Sequence, residues 1–120
     1  QAFENTGVRA YKGQAGNVME SDVVLTAALS IHSVEARHAS MVRRLRTKKG
    51  LDTVKGWITN DSRGSLPAPT QAIYDGEGNV MHGGVNVVNL TGIDASAVSE
   101  AWDEPLNKDQ VLGIASLFLA

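Results

Sequence analysis

Apolar residues recur at Val24, Ala28, Ile31, Val42 and Leu45 in alternating steps of four and three, the period of one helical face. Glu35 and His38 fall in the same register, on a stripe whose other positions are apolar. The opposite face, Ser30, Ser33, Arg37, Ser40 and Arg44, is polar throughout. The spacing predicts a helix from Asp22 to Arg46, roughly 37 Å long at about 1.5 Å per residue. Ser21 is its N-cap and Asp22 its first-turn acid, while Arg43, Arg44, Arg46, Lys48 and Lys49 crowd the last turns before Gly50. An ionisable pair on a core-facing stripe has to be hydrogen-bonded, ion-paired or metal-bound, because an unpaired buried charge is strongly unfavourable.

Before this helix, Glu4, Val8, Tyr11 and Ala15 stand at helical spacing, which predicts a short first helix from Gln1 to Lys12 with Gly7 weakening its middle. No capping residue or turn signal precedes it, as though a helix were entered part-way along, so further residues upstream are expected. Gly13, Gly16 and Asn17 supply a stop, and Val18 to Glu20 a short connection that favours an antiparallel helix pair.

From Leu51 to Ile93 the pattern gives way to turn residues, with Gly64-Ser65-Leu66-Pro67-Ala68-Pro69 and Gly76-Glu77-Gly78-Asn79 as the clearest loops. Val80–Met81 and Val85–Leu90 read as strands of a small hairpin. A loop this long is expected to pack on the helices or on a partner through Leu51, Trp57, Ile58, Ile73 and Tyr74. Asp94 caps a short helix running to Trp102, and Asn107 with Gln110 forms a capping-box pair ahead of Val111, Leu112, Ala115, Phe118 and Leu119. The layout is therefore residues 1–50 as a helix pair, 51–93 as a long loop and 94–120 as C-terminal helices: a mainly α chain.

Composition narrows the chemistry. A net charge of −2 and a basic run, Arg43 to Lys49, with no interleaved aromatics give no case for nucleic acid, and the run reads as a solvated helix end. Without cysteine there is neither disulfide, thiolate zinc site nor cysteine nucleophile. No apolar stretch approaches the roughly 18 residues of a spanning helix. There is no Gly-rich phosphate loop and no Gly-x-Ser-x-Gly elbow, so a serine hydrolase is disfavoured and no catalytic residue is assigned.

Three segments carry a resemblance: Phe3-Glu4-Asn5-Thr6-Gly7-Val8-Arg9-Ala10-Tyr11, Ile31-His32-Ser33-Val34-Glu35-Ala36-Arg37-His38-Ala39, and Trp102-Asp103-Glu104-Pro105-Leu106. Together they resemble the ferritin-like domain family that includes the desiccation-related proteins. The resemblance implies half of a four-helix bundle, its second helix pair followed by a C-terminal extension. In metal-binding members each pair supplies one carboxylate from its first helix and a Glu-x-x-His from its second, around two iron or manganese ions. Carried over, Glu4 is the lone carboxylate, Glu35 the bridging one and His38 the imidazole ligand. Tyr11 would lie beside the metals, and His32 could hydrogen-bond Glu35. By its likeness to exported bacterial relatives, the resemblance also implies an extracytoplasmic location.

Half a site needs another half. No other segment offers a second Glu-x-x-His, so the missing pair is expected upstream, in a separate chain or in a homodimer mate. Two functions follow as expectations: a di-iron or di-manganese carboxylate protein handling iron, oxygen or peroxide, and a metal-free ferritin-like scaffold with a stress-protective or assembly role. In the plainer reading Glu4 pairs with Arg9, Lys12 or Arg37 on a wet surface, Glu35 and His38 form a satisfied core pair, Tyr11 is a packing aromatic, and His32 and His82 are structural.

Overall fold

Residues 1–119 are described by a computed structural model. Two helices dominate it. Helix α1 spans Ala2–Gln14 and runs through a short 3-10 turn, Ala15–Val18, to α2, Asp22–Lys48. Ser21 caps α2 as its sequence position requires, its Oγ accepting from Val24 N at 3.4 Å. The two helices are antiparallel neighbours: Glu4 lies beside His38, whereas Tyr11 and Leu29 share the wall of one cavity.

The long segment that follows is irregular but anchored. A 3-10 turn at Ala68–Ile73 precedes a two-stranded antiparallel hairpin in which Met81 pairs with Asn86 and His82 with Val85. The second strand is shorter than its sequence suggests. Val85–Asn86 is β2, but Val87–Thr91 is a helical turn, α3, because the Asn86 side chain caps it at Asn89 N and Gly92, at φ 70, closes it in the left-handed region. Helix α4, Ala95–Ser99, starts at the Asp94 cap and stops before the expected Trp102. Helix α5, Lys108–Ser116, opens on the full capping box, with Asn107 Oδ1 accepting from Gln110 N at 2.9 Å and Gln110 Oε1 from Asn107 N at 2.8 Å.

The apolar centre lies outside the α1–α2 contact. Ile58, Ile73 and Tyr74 from the long segment join Leu106 and Ile114, with Ala2, Leu66 and Val111 packed around them. Of the expected anchors, Ile58, Ile73 and Tyr74 are buried, while Leu51 and Trp57 stay largely exposed, Trp57 beneath the Arg44 guanidinium at 5.8 Å.

Helix α2 is turned relative to the stripe that its sequence displays. The less exposed positions of α2 include Leu25, His32, Ala36, Ala39, Arg43 and Arg46 beside Ala28, Glu35 and Val42 of the stripe, so the covered face is shifted part of the way round the helix. Val24, Ile31 and Leu45 remain 48%, 42% and 45% exposed. The solvated-end reading of the basic run also needs correcting. Arg43 is 1% exposed, because the segment after the helix folds back and covers it.

Candidate metal centre

Glu4, Glu35 and His38 come together at the α1–α2 contact. His38 Nδ1 stands 3.4 Å from Glu4 Oε1, and the Glu35 carboxylate lies over the bare backbone of Gly7, where a Cβ would stand 2.6 Å from Glu35 Cδ. Gly7, which weakens the helix in sequence terms, is therefore what admits the second carboxylate between the helices. The Oε2 atoms of Glu4 and Glu35 are both buried with no hydrogen-bond partner. Burial, and then the negative charge of Glu4, raise the Glu35 pKa above its ordinary value, against the pull of His38.

Two carboxylates and an imidazole are a donor set of the kind that hard and borderline divalent ions take, and unsatisfied carboxylate oxygens are what such an ion would satisfy. Among the described residues no group of three or more His, Asp or Glu side chains is arranged to hold an ion by itself. The His38 side chain is 59% exposed, on the uncovered side of the pair. Tyr11 and His32 share the wall of a cavity of about 300 Å³ with Leu29 and Trp102, and His32 Nε2 is buried without a partner. His32 makes no hydrogen bond to Glu35. His82 is held against the Trp102 ring at 4.0 Å and stands 3.8 Å from Glu104 Oε1, a site that its Gly-rich turn gave no means of foreseeing.

Next to this cluster, α1 carries a second ionic site that the spacing did not single out. Arg9, 2% exposed, lies 2.7 Å from Glu77 Oε1 and donates to the carbonyls of Glu104 at 2.7 Å, Ile73 at 2.5 Å and Asp75 at 3.0 Å. Glu77 in turn accepts from Glu104 N at 2.9 Å. Asn5, one turn before Arg9, donates to the Tyr74 hydroxyl at 3.0 Å. This network ties the long segment and the Asp103-Glu104-Pro105-Leu106 stretch to α1. The surface pairing expected between Glu4 and Arg9 does not occur.

Burial pushes the Glu77 carboxyl up to about 7, with Arg9 and the Glu104 amide pulling the other way. The folded state therefore keeps a proton that the unfolded chain releases from about pH 4.5. Stability falls as pH rises from 4.5 towards 7 by at most about 3 kcal/mol, with no further change from this group above 7. In Glu77→Gln that component of the pH dependence disappears. Melting temperatures of both proteins followed from pH 4 to 8 check it, and parallel curves would count against a raised Glu77.

The antiparallel helix pair thus brings two carboxylates and an imidazole together at one helix contact. Residues 1–48, the helix pair, match the family model of the ferritin-like domain. Comparison with curated proteins and with solved structures gives no significant match. Among the described residues no helix is long and apolar enough to cross a membrane.

Proposed function

We propose that the helix pair contributes half of a di-iron or di-manganese carboxylate centre, with Glu4, Glu35 and His38 as its ligands. The observation that carries this reading is the pair of buried, unpartnered carboxylate oxygens on Glu4 and Glu35 beside the His38 imidazole. Bound there, such metals would supply one-electron chemistry towards oxygen or peroxide. The chain's own part is to hold the two carboxylates at the helix contact, in the space that Gly7 leaves open. A second helix pair, in another segment or another copy, closes the site and covers the exposed α2 residues Val24, Ile31, Val34 and Leu45. Protein assembled with its second helix pair, loaded with ferrous or manganous ion and desalted, should retain about one ion per copy of this pair, its half share of a two-metal centre. Retention should fall to background in Glu35→Gln/His38→Leu. Equal metal content in the two proteins would refute the assignment.

The exposed α2 stripe favours a second reading, a ferritin-like scaffold that acts by assembly in stress protection or structure and needs no metal. On this reading Glu35→Gln/His38→Leu assembles as the parent does in sedimentation analysis, whereas Ile31→Asp/Val34→Asp does not. An unchanged sedimentation profile for Ile31→Asp/Val34→Asp would remove it.

A further inference from the structure

The turn from Ile73 to Glu77 gives its inward polar groups to Arg9: the Glu77 carboxylate and the carbonyls of Ile73 and Asp75, the last accepting from Nη2 at 3.0 Å. Within the same turn the Asp75 side chain and Gly76 are exposed. Asp75-Gly76 is the only Asp-Gly step in the sequence. Gly76 stands at φ 87, in the region that glycine reaches without strain, and the nearest atom to a Cβ placed there is Arg9 Nη2 at 3.9 Å, so nothing crowds it. The Gly76 N–H makes no hydrogen bond among the described residues. The Asp75 carboxyl is held from its other side, Oδ1 accepting from Gln71 Nε2 at 3.0 Å.

The other aspartates lack this combination. The amide after Asp52 is bonded to the Asp52 carboxylate itself, and those after Asp61, Asp103 and Asp109 donate to Thr59 O, Glu77 Oε1 and Asn107 Oδ1. Asp22 and Asp94 precede Val23 and Ala95, whose β-carbons crowd the nitrogen that would have to react.

We propose that Asp75 is a site of spontaneous backbone rearrangement to isoaspartate, with Gln71 as donor to the reacting carboxyl and Arg9 as the group that receives the charge of the product. The Gly76 nitrogen attacks Cγ of Asp75, the N–Cγ bond forms, the Cγ–OH bond breaks, and the hydroxyl leaves with the amide proton as water. While the ring closes, negative charge develops on Oδ1, where Gln71 donates. Water then opens the cyclic imide. Addition at Cγ restores aspartate. Addition at the main-chain carbonyl of Asp75 breaks its bond to the Gly76 nitrogen and turns that carbonyl into a carboxylate, with the chain continuing through Cβ and Cγ. Net charge is unchanged, but the negative charge moves from an exposed side chain to the position that Arg9 Nη2 already holds, so an ion pair replaces a bond to a neutral carbonyl. The main chain gains one methylene in the turn that ties the long segment to α1. The site shares no residue with Glu4, Glu35 and His38 and does not depend on metal there.

The test is to incubate the full chain under native conditions at neutral pH for several weeks, digest it, and offer the peptides to an isoaspartyl methyltransferase, with mass spectrometry locating the methylated residue. Isoaspartate is expected at Asp75, with background levels at the other aspartates and none at position 75 of Asp75→Glu, where a larger and slower ring would have to close. Gln71→Met should acquire it severalfold more slowly. At the plateau, the ratio of isoaspartate to aspartate should exceed that of the same chain incubated in urea, where Arg9 is no longer placed to favour one product. Isoaspartate that forms in urea but not in the folded chain would overturn the proposal. An unchanged rate in Gln71→Met would remove Gln71 from the step, and equal plateau ratios would remove Arg9.

Discussion

Arg9→Met should cost about 3–5 kcal/mol of folding stability, the loss typical of breaking a buried ion pair by removing one partner. The substitution keeps the unbranched stem, so packing changes little. What it removes is the counter-charge of Glu77 and the donor to the carbonyls of Ile73 and Asp75 in the long segment and of Glu104 beyond it. Domains of ordinary size are stable by only about 5–15 kcal/mol, so most of the reserve goes. Urea denaturation measures the loss, and the double variant Arg9→Met/Glu77→Met should regain part of it, since two apolar side chains leave no orphaned charge. A single variant within about 1 kcal/mol of the parent would show that the network is dispensable.

The second large effect is expected at Gly13. Replacing a glycine inside a helix by alanine ordinarily stabilises by up to about 1 kcal/mol. Here the sign reverses. A Cβ at Gly13 would run into the carbonyl of Leu106, with Leu106 C at 2.9 Å and Leu106 N at 3.2 Å, and all of these are backbone atoms that cannot swing aside. The same stretch is fixed to α1 by the Leu106 N–H donating to the Arg9 carbonyl at 3.0 Å. Gly13→Ala should therefore destabilise by about 1–3 kcal/mol, as other overpacked contacts do. Gly113→Ala, in α5 with nothing within 4 Å of the added carbon, should instead show the ordinary gain. Thermal melts of the two variants side by side decide the matter, and a stabilised Gly13→Ala would refute the close approach.

How much of this could be read in advance depended on whether the signal was local. Caps are local, and Ser21, Asp94 and Asn107 with Gln110 each bond as their positions require. Helix pairing by a short connection was legible for the same reason, as was the meeting of Glu4 with the Glu35 and His38 turn, given the family resemblance. The orientation of α2 was not. The large residues of its visible stripe, Val24, Ile31 and Leu45, record a face that this chain leaves uncovered, whereas the covered face adds small residues such as Ala36 and Ala39 and half-buried polar ones. Small residues bury little area and give a weak periodic signal. The interior roles of Arg9, Arg43 and Glu77 were invisible because charged residues are read as surface, and only the return of a distant segment buries them. Two clues did exist. Gly7 and Gly13, counted against the helix or as its end, mark the places where Glu35 and Leu106 come close.

The Arg9 network also bears on the order in which the chain acquires its shape. Arg9 bonds to residues 64 to 95 positions away in sequence, so these contacts form only after the loop between them has closed, a slow step compared with pairing two adjacent helices. While the chain is being made, α1 and α2 emerge before the segments that bury Arg9, and its guanidinium waits uncovered. The Glu104 stretch ends the exposure of that guanidinium, whereas the α2 stripe stays in water in the finished chain.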